Sequence, residues 1–336
     1  MGLTVAVTGP TGEIGKSAVR ELGRAPQVDR IIGMARRPFD PADHGWRKAT
    51  YRQGDVLDPD AVRGLVEGAD VVVHLAFIIF GSPEETREVN LRGSRTVFQA
   101  AVDAGVRRLV YTSSVAAYGF HADNPLPLTE DVPARGTDGF YYSEQKAELE
   151  RELHRITAGS GIETVVLRPC IVAGPMAPAL IDQTLSAVRL GDRVPLLRRA
   201  LSAVPGLTPV LPDTGVPMQL VHHDDVARAI RAAAVRADAA GVYNLAADGL
   251  ITMGDVAAEL GWRSVRIPRR AVATAADVIA RIPMLPAQAQ WISALHQSVV
   301  MDTARAKRRL AWRPRFDARA TLRDMVQAAR ERGDLD

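Results

Sequence analysis

Val5-Ala6-Val7-Thr8-Gly9-Pro10-Thr11-Gly12-Glu13-Ile14-Gly15 stands at the head of a 336-residue chain, and its reading decides the fold. The apolar run Leu3 to Val7 predicts a buried parallel strand, and Lys16 to Leu22 predicts a helix. Between them Gly9, Gly12 and Gly15 recur at three-residue spacing. A glycine at the strand end allows a sharp turn, because no Cβ blocks positive φ. The middle one lets main chain approach a pyrophosphate, and the third lets the helix pack close to the strand. The helix N-terminus then offers N–H groups and a partial positive charge to phosphates. The spacing is G-x-x-G-x-x-G rather than the G-x-G-x-x-G of other dinucleotide folds. The competing reading is an ordinary strand-to-helix turn.

Strand and helix patterns go on alternating beyond this stretch. Arg30–Ala35, Ala49–Gln53, Val71–Ala76, Arg108–Thr112 and Glu163–Arg168 read as strands, and Val242–Ala246 as one more. Pro59–Val66, Glu84–Ala104 and Tyr141–Ala158 read as helices. The alternation predicts an α/β fold, a Rossmann-type doubly wound parallel sheet with helices on both faces. We expect a dinucleotide-binding domain over 1–175, with a returning segment at 218–248. A smaller C-terminal substrate region is expected over 176–217 and 249–336. The first of these carries Pro195, Pro205, Pro209, Pro212 and Pro217 around its end.

Composition narrows the class. Lys plus Arg total 42 against 39 for Asp plus Glu, a net +3 that demands neither nucleic acid nor an anionic membrane. Aromatic residues at 5% argue against base-stacking platforms. The lone Cys170 forbids an internal disulfide and fits a reducing compartment. No leader is expected before the first strand. The apolar run Val71–Phe80 contains His74 and is too short to span a bilayer. The expectation is a soluble, cytoplasmic protein with no integral membrane segment.

Several strand ends carry candidate site residues. After Ala35 come Arg36 and Arg37, where a carboxylate would bond the ribose 2′-hydroxyl of NAD. Guanidinium groups match a 2′-phosphate instead, which points to NADP over NAD; the alternative is a pair of solvated surface arginines. Gly54-Asp55-Val56 closes the third strand, where Asp55 can accept from an adenine amino group or serve only the turn. Leu75 and Ala76 follow His74 and leave room for a cofactor backbone; His74 reads as a packed strand-end histidine. Tyr142 and Lys146 are i and i+4 on one helix face. A free tyrosine ionises near pH 10, too high for a base at neutral pH. A nearby ammonium, aided by a nicotinamide ring, lowers that value, and a serine hydroxyl can hold the substrate oxygen beside the phenol. Together these make a proton donor or acceptor for a carbonyl/alcohol pair.

Read together, these motifs resemble the extended short-chain dehydrogenase/reductases, also called the NAD-dependent epimerase/dehydratase family, nearly end to end. Thr8 to Gly15 resembles the family's T-G-x-x-G-x-x-G. Asn90-Leu91-Arg92-Gly93-Ser94 resembles N-x-x-G-[ST], and Thr112-Ser113-Ser114 with Tyr118-Gly119 resembles S-S-x-x-x-Y-G. Tyr142 and Lys146 fit Y-x-x-x-K, and Leu167-Arg168-Pro169 resembles the L-R-P strand beside the nicotinamide. Later landmarks are Val221-His222-His223-Asp224-Asp225-Val226-Ala227, Tyr243-Asn244-Leu245 and Trp312-Arg313-Pro314. The resemblance implies Ser114, Tyr142 and Lys146 as catalytic residues, with Ser113 a neighbour. It implies a cofactor held by Gly9, Thr11, Gly12, Glu13, Ile14, Gly15, Arg36, Arg37, Asp55, Val56, Leu75, Ala76, Tyr142, Lys146 and Pro169.

Departures from the family bear on the substrate. Ile171 and Ala173 stand where nucleotide-sugar members carry Asn and Tyr, and Ser114 is followed by Val115-Ala116 rather than Asp-Glu. Dehydration is not expected. Phe77-Ile78-Ile79-Phe80 and the Pro-rich 195–217 stretch are apolar, which suits a hydrophobic ketone or alcohol, or else an internal or dimer contact. No metal is expected: His222-His223-Asp224-Asp225 lacks zinc-type spacing, and Asp224 is expected to cap a helix over Asp225–Val235. Arg269–Gln297 is expected to be a lid or dimer contact. The leading expectation is an NADP-dependent oxidoreductase acting on a small-molecule substrate, in a chain that can form a homodimer. A nucleotide-sugar epimerase with retained NAD(P) and a non-catalytic NADP sensor remain as alternatives.

Overall fold

In a computed structural model, residues 2–79, 81–182, 184–185, 209–268 and 297–335 are described. Phe80, most of the Pro-rich stretch (186–208) and the lid segment at 269–296 lie outside them. In chain order the first elements are β1 (Leu3–Thr8), α1 (Glu13–Gly23), β2 (Val28–Ala35), β3 (Ala49–Gln53), α2 (Pro59–Val66), β4 (Val71–His74) and α3 (Pro83–Arg87). Next come α4 (Gly93–Asp103), β5 (Arg108–Thr112), α5 (Tyr141–Thr157), β6 (Glu163–Pro169), β7 (Ile171–Ala173), β8 (Val210–Asp213) and β9 (Leu220–His222). The remainder are α6 (His223–Val235), β10 (Gly241–Leu245), α7 (Met253–Leu260), β11 (Arg263–Arg266), α8 (Ala304–Arg309) and α9 (Ala318–Glu331).

Seven strands form one parallel sheet in the order β10-β6-β5-β4-β1-β2-β3. The order runs outward both ways from β1 and β4, as the doubly wound expectation requires. Strands β4 and β5 are buried along their whole length, which is why Val71–Val73 and Leu109–Tyr111 read as unbroken apolar runs rather than alternating ones. One cluster of buried side chains joins Ile32 and Met34 of β2, Val72 of β4, Leu109 and Tyr111 of β5, Val97 and Phe98 of α4, and Leu149 and Leu153 of α5.

The chain divides into two units, described separately here. The first comprises Met1–Cys170, His223–Ala246 and Met301–Arg315; the second comprises Ile171–His222, Ala247–Val300 and Phe316–Asp336. The returning segment is shorter than the expected 218–248, and the division differs from the expected one at two further places. Residues 301–315 pack with the first unit, because Met301 bridges Leu128, Asp302 N–H donates to the Leu128 carbonyl at 2.8 Å, and Trp312 Nε1 donates to the Asp225 carbonyl at 2.8 Å. The first unit also ends at Cys170 rather than 175, since β7 pairs with β9 in a separate two-stranded sheet. The second unit has its own buried cluster, including Leu220, Ile251, Val256, Leu322, Met325 and Val326.

Two local expectations are corrected. The single helix expected over Glu84–Ala104 is broken by a π turn at Glu88–Arg92. The Asn90 side chain projects from that turn, accepting from Ile78 N–H at 2.8 Å and donating to the Ile78 carbonyl at 2.9 Å and to Gln145 Oε1 at 2.8 Å. A widened turn that re-aims one side chain is a common reason for such a bulge. Asp224 does not cap its helix from outside, because the helix already begins at His223. Its carboxylate accepts from Ser17 Oγ at 3.0 Å and pairs with Arg20, both on α1.

Arg108 shows how the sheet is tied to a helix end. Its side chain is fully buried, pairs with Glu163, and donates to the carbonyls of Ala233 (2.8 Å), Ala234 (3.2 Å), Arg236 (2.5 Å) and Ala237 (3.1 Å). These are carbonyls that the end of α6 cannot satisfy itself. Arg108→Met would leave them without a donor. The half-exposed Glu163 carboxylate stays solvated, so the expected cost is that of the buried carbonyls left unpaired, about 1–3 kcal/mol each, read as a lower urea midpoint.

Candidate functional site

Glycines shape the turn between β1 and α1. Gly9 has φ +71°, and a Cβ there would lie 2.9 Å from the Ala76 nitrogen. At residue 15 a Cβ would lie 2.1 Å from the Gly9 carbonyl oxygen. Both positions are therefore closed by the fold itself. Gly12 differs: φ is −76°, which any residue adopts, and a Cβ would meet only the Gly9 oxygen at 3.5 Å. Gly12 is also the residue before α1 and supplies no side-chain cap. The protein's own packing does not need a glycine there, so the bare backbone leaves room for a ligand at the helix N-terminus. Gly12 and Glu13 are exposed, and Thr11 and Ile14 are half-buried beside them.

Thr8 holds the opposite wall. Its hydroxyl accepts from the Leu75 and Ala76 N–H groups at 3.2 and 3.3 Å, so its proton goes to His74 Nδ1 at 2.7 Å. His74 then carries its hydrogen on Nε2, which donates to Ser94 Oγ at 2.8 Å. Burial, and secondarily the charge of Lys146, pull His74 down to about 3, so it is a neutral strut and not a base. The role of Thr8 was not anticipated from sequence; a hydroxyl at the strand end directly before the glycine is the signal that could have shown it.

The rim residues sit as follows. Arg36 and Arg37 are exposed just beyond β2, and their guanidinium groups have no hydrogen bond or ion pair among the described residues. Their backbone is held instead: Tyr51 Oη donates to the Ala35 carbonyl at 2.7 Å and also to the Arg37 carbonyl, and Gln53 Nε2 donates to the Arg36 carbonyl at 2.9 Å. Asp55 is half-buried and accepts from Leu57 N–H at 3.0 Å, which is the turn role set beside the adenine role above. Val56 is buried against Gly93, where a Cβ would lie 2.6 Å from its Cγ2. Pro169 is buried at the end of β6, paired with Leu245.

Ser114, Tyr142 and Lys146 come together at the C-terminal end of β5. Ser114 has extended backbone, caps the 3-10 turn Val115–Tyr118, and accepts from Ala116 N–H at 3.1 Å. Its hydroxyl stands beside the Tyr142 phenol, where it favours the ionised form. Lys146 Nζ donates to the Thr112 carbonyl at 3.0 Å and lies 5.9 Å from the Tyr142 ring centroid. All three side chains are buried. Burial pushes Tyr142 up to about 12, opposed by the Ser114 hydroxyl, and pulls Lys146 down to about 7, opposed by the Glu150 carboxylate. The sequence argument expects a tyrosine lowered by the ammonium. In the chain alone desolvation outweighs every favourable contact, so Tyr142 keeps its proton at neutral pH.

Phe77 is the side chain the sequence argument placed least well. Read as part of an apolar loop, it lays its ring over Lys146 Nζ at 3.7 Å and stands edge-on to the Tyr142 ring at 5.6 Å. Ser113 is engaged elsewhere, donating to Glu150 Oε1 at 2.6 Å, as its neighbour role implies. The two histidines of the His222–Asp225 run each have a partner within their own unit. His222 Nε2 bonds Asp324 at 2.9 Å, and His223 Nδ1 bonds Ser17 Oγ at 2.8 Å.

Residues 5–246 match the profile described as the NAD dependent epimerase/dehydratase family. The chain belongs to this family. It is thereby grouped with NAD(P)-dependent dehydrogenases, reductases, dehydratases and epimerases. Among curated relatives, sterol demethylase protein B of Methylococcus capsulatus is 30% identical over 190 residues, 54% of this chain and 56% of that protein. Human 3 beta-hydroxysteroid dehydrogenase type 7 is 32% identical over 209 residues, 56% of this chain and 55% of that one. The chain thus spans little more than half the length of these two relatives. A short-chain dehydrogenase/reductase superfamily protein from Agrobacterium tumefaciens, solved with bound NAD, superposes with a TM-score of 0.73 at 21% identity. That match covers 98% of both chains and shows the fold. No helix among the described residues is long and apolar enough to cross a membrane.

The glycine loop separates folding from ligand binding. Gly15→Ala is expected to destabilise the chain outright. Gly12→Ala should keep the wild-type melting temperature and lose about tenfold or more in affinity for a nicotinamide dinucleotide, equal to about 1.4 kcal/mol. Fluorescence titration of the folded variant checks this.

Proposed function

We propose that the chain is an NADP(H)-dependent oxidoreductase that moves hydride between the cofactor and a carbonyl or secondary alcohol on a fairly apolar substrate. The observation that carries this reading is the buried cluster of Ser114, Tyr142 and Lys146 at the end of β5, with Lys146 one helical turn from the phenol. When bound, the cofactor supplies or takes the hydride. Ser114 accepts from Ala116, which leaves its own proton to be given to the phenol oxygen or to a reacting oxygen beside it. With its pKa raised to about 12, Tyr142 is protonated at neutral pH and is set to donate to a carbonyl as it is reduced. Lys146, anchored on the Thr112 carbonyl, lies beside the phenol, where its charge favours the phenolate left after donation.

The substrate reading rests on apolar surroundings. Phe77 presents an aromatic ring beside Tyr142 and Lys146, where it excludes water and offers no polar partner. Both curated relatives carry sterol or steroid in their names, and one is named for a hydroxysteroid, a secondary alcohol on an apolar frame. The lone cysteine, Cys170, is buried and suits a reducing compartment, which favours the cytoplasm.

The cofactor reading rests on Ala35, which offers no carboxylate, and on the exposed Arg36 and Arg37 beside it. The Tyr51 and Gln53 hydrogen bonds fix the backbone from which these arginines extend. That rigidity lowers the entropy cost of gripping a phosphate.

Two measurements test the proposal. Tyr142→Phe keeps the ring and removes the proton. Turnover is expected to fall by about 100-fold or more, the lower range for losing a general acid or base, with NADPH affinity near wild type; near-normal turnover would remove Tyr142 from its role. Separately, a charge-assisted contact contributes roughly 1.5–3 kcal/mol, so NADPH should bind about tenfold or more tighter than NADH. The Arg36→Ala/Arg37→Ala double variant should lose that preference, and added salt should weaken it. Equal affinities in wild type would refute the NADP assignment.

A further inference from the structure

We propose that Glu150 is a positioning residue for this site: its carboxylate locks the turn that carries Ser114 and holds the charge on the Lys146 ammonium. The proposal rests on reading Ser114, Tyr142 and Lys146 as the reacting side chains.

Glu150 lies one turn beyond Lys146 and two beyond Tyr142 on α5, so the three share a face. Its side chain is only 9% exposed. Oε1 accepts from Ser113 Oγ at 2.6 Å and from Arg168 Nε at 2.9 Å, while Oε2 takes Arg168 Nη2. This is a two-pronged carboxylate–guanidinium pair, the geometry with the strongest directional demand. Ser113 is the residue immediately before Ser114. Arg168 in turn lies against the Tyr118 ring at 4.3 Å, and Tyr118 Oη donates to Asn244 Oδ1 at 2.7 Å. Glu150 therefore grips the start of the Ser114–Tyr118 turn directly and its end through Arg168. Lys146 grips the residue before that, through the Thr112 carbonyl. Two successive turns of α5 thus clamp the end of β5 on which Ser114 depends.

The electrostatic half of the argument follows from what faces Lys146. From β4 comes His74, neutral because burial holds it near 3. From β5 comes Tyr111, whose phenol burial raises well above its ordinary value, and Tyr142 on the same helix is likewise held protonated. Phe77 covers the ammonium with an uncharged ring. The carboxylate that opposes burial at Lys146 is Glu150. Arg168 tempers its field from the far side, so the two charges should act on Lys146 with opposite sign.

A purely structural ion pair would change stability and leave the ammonium's titration alone. The chain has only four lysines, Lys16, Lys48, Lys146 and Lys307. Lysine-labelled protein therefore gives a simple NMR titration in which the Lys146 signal is the one lost in Lys146→Met. Glu150→Gln is expected to lower the Lys146 proton affinity by about threefold or more and Arg168→Met to raise it by a smaller factor, since Arg168 stands on the far side of the Glu150 carboxylate, as expected for removing a nearby opposite or a more distant like charge. Glu150→Asp should sit near wild type. If Glu150→Gln does not fold, the Glu150→Gln/Arg168→Met double variant, which leaves no unpaired buried charge, carries the test and should show a smaller downward shift. An unchanged Lys146 midpoint in every folded variant would overturn the proposal. The titration needs no substrate or cofactor, so failure of the oxidoreductase reading would show separately, as absent NADPH binding or an unaffected Tyr142→Phe variant.

Discussion

The carbonyl oxygen of Gly9 occupies the place where a Cβ on residue 15 would stand, 2.1 Å away. Strand β1 and helix α1 can meet at this distance only if residue 15 is glycine, and the sheet is arranged around that meeting. Gly9 is itself fixed by the chain opposite, where Ala76 leaves no space for a side chain. Thr8, His74 and Ser94 then bind β1, β4 and α4 in one hydrogen-bonded line. The polar groups at the C-terminal edge of the sheet are thus held in place by close backbone packing.

Desolvation governs the chemistry of the other half of the site. The same burial that keeps His74 neutral raises Tyr142 and lowers Lys146. These shifts work against the charged forms that proton transfer must pass through, so the arrangement costs stability. In the proposed reaction a phenol that is hard to ionise is set to donate its proton, and an ammonium held near 7 responds to small changes in its surroundings. This is the setting in which a buried carboxylate one turn away has leverage, and in which Phe77 matters by excluding water.

The motifs with strict local geometry were legible in sequence. Gly9, Gly12 and Gly15, the Tyr142–Lys146 pair, and the strand ends at Ala35 and Thr112 stand where their spacing put them, while the fourth strand stops at His74, two residues before the expected Ala76. Contacts between segments distant in sequence were not legible. Asp224 looked like a helix cap because Asp favours that place, yet it turns to Ser17 and Arg20, about two hundred positions away. The apolar periodicity of Glu84–Ala104 did not show the π turn at Glu88–Arg92, since the demand for it comes from Ile78 and Gln145. Nothing in the composition of 301–315 showed that it would return to the first unit through Leu128 and Asp225.

By itself the sequence determined the strand–glycine–helix opening, the parallel α/β order and the family, because each rests on residues a few positions apart whose backbone needs are local. Only the tertiary structure decided which glycines serve the fold and which leaves space for a ligand, since that turns on the distance from residue 12 or 15 to the Gly9 oxygen. It also decided the proton states at the site. Burial depends on what every other element places around a side chain, so the raised phenol of Tyr142, the lowered ammonium of Lys146 and the neutral imidazole of His74 are properties of the packed chain.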